Sequence, residues 1–114
     1  MQVIKIDRQG RALDGVVKVK RGRDNLMWVA IDDSGPWRIT FDKPANPAHP
    51  FNPGSPFPGT PANGFLVPQG FFVTTMGAVA AATALGTYKY RIRDANNSNN
   101  ATNITDDPDV DVDP

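Results

Sequence analysis

The sequence predicts an all-β fold, an antiparallel or mixed Greek-key β-sandwich of seven or eight short strands, formed by one domain over residues 1–114. Three observations predict it. All twelve acidic residues are aspartates, and aspartate favours caps and turns over helix interiors. The chain carries 10 glycines and 11 prolines, which interrupt regular elements. Between these breakers, apolar and polar residues alternate with the period of two that marks half-buried strands. A hydrophobic share of 39% against 21% charged residues is that of a globular chain.

Taken in order, Val3, Ile4 and Ile6 suggest a first strand, punctuated by turns at Gln9-Gly10 and Asp14-Gly15. Val17 and Val19 alternate with Lys18 and Lys20 in a second. Residues 21–25 read as a turn, and 26–31 form a dense apolar run around Trp28 that suits a central strand. After the turn at 32–36, Trp37, Ile39 and Phe41 alternate with Arg38 and Thr40. Residues 42–70 hold most of the prolines, and proline denies a ladder its donors, so regular pairing is not expected there. Phe51, Phe57 and Phe65 are spaced along this loop as anchors that pin it to the body. Phe71 to Thr74 suggests a strand. Residues 76–85 suit either a short helix or a small-residue strand crossing. Residues 86–93 alternate strongly, 94–105 read as a polar, Asn-rich loop, and Asp109 to Asp113 alternate as a last strand.

The same counts exclude several classes of function. There is no cysteine, hence no disulfide, thiolate metal site or cysteine nucleophile, and the compartment is left open. Twelve basic residues balance twelve acidic ones, so net charge draws the chain to neither nucleic acid nor a membrane surface. No signal peptide is visible at the start, and the mild apolar stretch at 76–85 is too short to span a bilayer. A cytoplasmic chain and a mature exported domain both fit.

Gly86-Thr87-Tyr88-Lys89-Tyr90 resembles the penultimate-strand signature of the cupredoxins, the blue-copper β-sandwich family. Val17, Val19, Gly22, Leu26 and Trp28 look like the earlier strands of that family, and Asp107 to Val112 sits where its last strand would. The resemblance implies a sandwich whose final strand lies beside the second. It also places a copper-ligating cysteine at the position of Ile92, a first histidine ligand near Trp37, and further ligands in the loop 94–105, which holds neither histidine nor methionine. A blue-copper site needs two imidazoles and a thiolate. One histidine and no cysteine cannot build it, so the resemblance implies a metal-free relative with no cofactor. An immunoglobulin-like sandwich is the alternative for the same strand pattern.

The remaining constellations favour structure over chemistry. His49, the one imidazole, has no partner nearby in sequence and reads as a loop residue. Asp106, Asp107, Asp109, Asp111 and Asp113 could ligate calcium, but lack the glycine and spacing of an EF-hand loop; three of them instead share the solvent face of a strand. Lys18, Lys20, Arg21 and Arg23 invite a nucleic-acid reading. In a cupredoxin-like arrangement, however, Lys18 and Lys20 face Asp109 and Asp111 across neighbouring strands. Three Asn-x-Ser/Thr triplets lie between 96 and 105 and arise easily in an Asn-rich loop. Tyr88 and Tyr90 share a strand face with Ile92 and read as core. The expectation is therefore a non-catalytic binding or structural module. Its protein partner, or a second copy, would meet the sandwich surface and the 42–70 loop, with Trp37, Phe51, Phe57 and Phe65 as contact residues if they prove exposed together. A calcium-dependent or small-ligand domain is the alternative, and an enzyme using carboxylates with Arg38 or Arg91 ranks behind it.

Overall fold

A computed structural model describes residues 1–41, 51–97 and 103–114. Nine strands and no helix are found among them: β1 (Gln2–Ile6), β2 (Val16–Lys20), β3 (Leu26–Ala30), β4 (Trp37–Phe41), β5 (Phe65–Val67), β6 (Phe72–Thr74), β7 (Gly86–Asp94), β8 (Ile104–Asp106) and β9 (Asp109–Asp113). They form two mixed sheets. The smaller runs β1-β3-β6, and the larger runs β2-β9-β7-β4-β5, with β8 paired to β7 off that path. The β1–β3 and β2–β9 pairs are parallel; the other strand pairs are antiparallel. A Cα radius of gyration of 13.3 Å is about that of one compact domain of this length.

The alternation decides which face each strand buries. Ile4 and Ile6 of β1 and Leu26, Trp28 and Ala30 of β3 turn inward from the smaller sheet. Val19, Val110, Val112, Tyr88, Tyr90, Ile92, Ile39, Phe65 and Val67 line the inner face of the larger. Trp28 stands at the centre, with Phe65, Tyr90 and Phe41 at ring-centroid distances of 5.3, 5.6 and 6.3 Å. Such aromatic pairs add about 0.5–1.5 kcal/mol each beyond the area they bury.

Three segments depart from the sequence expectation. Residues 65–67 lie in the proline-rich loop yet form β5, paired with β4 as Trp37↔Val67, Arg38↔Leu66 and Ile39↔Phe65. They sit in a proline-free window between Pro61 and Pro68, where the ladder keeps its donors. Gly64, at φ +82°, turns the chain into this strand. Residues 104 and 105, expected as loop, form β8 with Asp106, where Thr105 is held from both sides: its hydroxyl lies 2.8 Å from Gly10 O and 3.1 Å from Ile92 O, in reach to donate to either carbonyl. Residues 76–85 form neither helix nor strand. Their backbone groups are claimed by other loops: Val79 N–H donates to Asp24 O at 3.0 Å, Gly22 N–H donates to Val79 O, and Arg21 Nη1 donates to Thr83 O at 3.1 Å. Val79 is fully buried, so one apolar anchor fixes a segment whose alanines offer little else to bury.

Candidate functional site

The four residues singled out as contacts do not come together on the surface. Trp37, Phe57 and Phe65 are buried at 7%, 4% and 3% exposure, and Phe51 is half-buried. The Trp37 indole N–H donates to Ser34 Oγ at 3.1 Å, and that hydroxyl donates to Ile6 O at 3.0 Å, which ties β4 to the end of β1. Phe65 packs on Trp28, and Phe57 packs edge-on against Phe41 with ring centroids 6.1 Å apart. The loop phenylalanines 57 and 65 thus act as anchors, and with Trp37 they are spent on the core. His49 and the rest of 42–50 lie outside the described residues.

A different aromatic pair faces solvent. The inward set of the smaller sheet forces Val3, Lys5, Met27, Val29, Phe72 and Thr74 onto its outer face. In register these make two rows, Val3–Met27–Thr74 and Lys5–Val29–Phe72. Phe71 precedes β6 and stacks on Phe72, centroids 4.6 Å apart and planes 24° from parallel. Phe71 is 56% exposed, Phe72 44% and Val3 40%. The backbone holds the pair in place: Phe71 N–H donates to Pro68 O at 3.0 Å, and Ala30 N–H donates to Phe71 O at 2.8 Å. Lys5 is the one charged side chain in these two rows. Sequence reasoning missed this face. The available signal was the run Phe71-Phe72-Val73, since neighbours on a strand point to opposite faces and Val73 takes the inner one.

The outer face of the larger sheet is a ladder of charge. Lys18 and Lys20 of β2 pair in register with Asp111 and Asp113 of β9, one pair further along than the expected Asp109 and Asp111. The strands are neighbours as expected, but neither lysine closes an ion pair within 4.0 Å among the described residues. The aspartates instead engage β7: Lys89 Nζ lies 2.7 Å from Asp109 Oδ1, and the Thr87 hydroxyl donates to Asp111 Oδ1 at 2.8 Å. No cluster of three or more histidine, cysteine or acidic residues that could hold a metal ion occurs among the described residues. Ile92, where the cupredoxin resemblance would put a thiolate, is fully buried opposite Ile39.

Two buried groups have unusual electrostatics. Asp24 has a carboxylate that accepts from Arg23 and from Lys20 N–H, at 3.2 and 3.0 Å. The Arg23 hydrogen bond first, and the Lys20 amide second, hold its pKa below the usual carboxylate range. Tyr90 is enclosed with its hydroxyl unpartnered, as is the Trp28 indole N–H. Burial pushes the phenol well above its ordinary value; the Trp28 indole N–H acts in the other direction, without reaching hydrogen-bond geometry.

No helix among the described residues is long and apolar enough to cross a membrane. No protein-family model matches the chain, and no curated protein matches it in sequence.

Proposed function

We propose that this chain is a binding module rather than a catalyst, and that it assembles with a second copy through the outer face of its smaller sheet. The observation that carries the reading is the stacked Phe71–Phe72 pair, held on a fixed backbone beside Val3, Met27 and Val29. Adjoining apolar side chains on one rigid face mark an interaction surface, and aromatic residues dominate interface energetics. A zero net charge leaves no bulk repulsion between copies. Two such faces stacked across a two-fold axis would extend the sandwich by a further layer, at about the 10 Å spacing of packed sheets.

The same proposal reads the fold as cupredoxin-like. Its support is the parallel placement of β9 beside β2, which is the strand order that resemblance implies. The buried isoleucine at the thiolate position argues for a member that works through its surface.

Light scattering across a concentration series tests assembly. The wild-type mass should rise towards twice 12.3 kDa, and Phe72→Asp should hold the chain monomeric with its melting temperature nearly unchanged. A wild-type chain that stays monomeric into the millimolar range contradicts the proposal.

A further inference from the structure

On its outer face the larger sheet carries Arg38, Arg91 and Arg93, and no aspartate stands in register with Arg38 or Arg93. Arg38 on β4 stands directly opposite Arg93 on β7 in the antiparallel register, and like charges placed so repel one another. Their other cross-strand neighbours are apolar: Leu66 on β5 for Arg38, and Ile104 on β8 for Arg93. Neither guanidinium forms an ion pair among the described residues. Elsewhere on the same face Lys89 has Asp109, and Lys18 and Lys20 stand in register with Asp111 and Asp113, whereas Arg38 and Arg93 have no acid in register.

The geometry is that of a held cation beside an open space. Arg93 Nη1 donates to Thr40 Oγ1, and Arg93 Nε is buried with no hydrogen-bond partner. That fixes the guanidinium while leaving its charge uncompensated. Arg38, Thr40, Ala62, Asn63 and Arg93 line an open cleft of about 420 Å³. A second cleft of about 410 Å³ shares Thr40 and Ala62 with it and adds the rings of Phe41, Phe57 and Pro61 together with Ser55, Thr60 and Gly64.

We propose that the paired clefts bind a small organic phosphate monoester. Two guanidiniums match the charge of a phosphate dianion. The Thr40 hydroxyl and the Asn63 amide add neutral donors for its remaining oxygens. The adjoining cleft takes the organic part against Phe41 and Pro61. A carboxylate would leave one arginine without a counter-charge. This site lies on the sheet opposite the aromatic face and does not depend on the assembly reading.

The test is an amide chemical-shift titration of the full chain with inorganic phosphate, phenyl phosphate and sodium chloride at matched ionic strength. Phenyl phosphate should saturate, bind more tightly than inorganic phosphate, and move the amides of 38, 40, 63 and 93 while leaving Lys18 and Lys20 still. Arg38→Ala should weaken it about tenfold, the loss expected for a charge-assisted hydrogen bond. Arg93→Lys, which keeps the charge but loses the fork, should also weaken it. If Arg93→Lys does not fold, Arg38→Ala on the half-exposed strand decides. Shifts no larger than with chloride, shifts spread over all basic residues, equal binding of the two phosphates, or a folded Arg38→Ala that binds as wild type would each overturn the proposal.

Discussion

Substituting one glycine should tell whether the proline-rich segment is tethered to the body through β5. Gly64 has φ +82°, and a Cβ built there would sit 2.1 Å from the carbonyl oxygen of Ile39 and 2.8 Å from Thr40 Cγ2. The obstacle is the backbone of β4, which cannot swing aside as the tip of a side chain can. A non-glycine residue in the left-handed region costs about 1–2 kcal/mol, and forcing atoms into a packed site adds about 1–3 kcal/mol. Gly64→Ala should therefore destabilise the fold by about 2–5 kcal/mol, a large part of the roughly 5–15 kcal/mol typical of a domain. Urea unfolding followed by circular dichroism reads the change, as a lower midpoint at an unchanged slope. Gly15→Ala is the matched control, since nothing lies within 4 Å of its added Cβ; it should be neutral or slightly stabilising. A Gly64→Ala midpoint equal to wild type would refute the β4–β5 register and the pinning of the loop.

Three further outcomes follow from the buried polar groups. Ser34→Ala strips the acceptor from the Trp37 indole and a donor from Ile6 O, and should cost about 1–3 kcal/mol in the same urea assay. The Asp24 carboxyl has a lowered pKa in the fold, so its contribution is present above the unfolded carboxylate pKa of about 3.9 and fades as pH falls through the folded value. Asp24→Asn should lower stability at neutral pH and flatten the acid limb of the stability curve; parallel acid limbs for mutant and wild type would exclude this. Tyr90 behaves with the opposite sign. Its raised pKa makes its contribution full below the unfolded phenol value of about 10 and lost progressively as pH rises from there through the folded value. Tyr90→Phe removes a buried, unpartnered hydroxyl; it should be neutral or mildly stabilising at pH 7, and should soften alkaline unfolding followed by tyrosine absorbance.

Much of the sandwich was legible because alternation is a local signal. Val17 and Val19, Trp37 and Ile39, and Tyr88, Tyr90 and Ile92 each announce a strand and its buried side from a few neighbouring residues. The three-residue strands β5 and β8 carry too little alternation to stand out, and they exist because of partners far along the chain: β4 for one, Gly10 and β7 for the other. The 76–85 segment was misread for a similar reason, since its conformation is set by hydrogen bonds to Gly22 and Asp24. The surface was less legible still. Phe57, Phe65 and Phe72 are chemically identical; the pleat turns Phe65 inward and Phe72 outward, and a loop folded onto Phe41 encloses Phe57. Composition names the aromatics without saying which of them face water.

The claim that the β1-β3-β6 face joins two copies is tested most directly by amide chemical shifts recorded across a dilution series of the wild-type chain. Residues 3, 27, 29, 71, 72 and 74 should shift with protein concentration along a single binding curve, while Lys18 and Arg38 on the opposite sheet stay fixed. Shifts independent of concentration, or concentration-dependent shifts centred on the larger sheet, would contradict it.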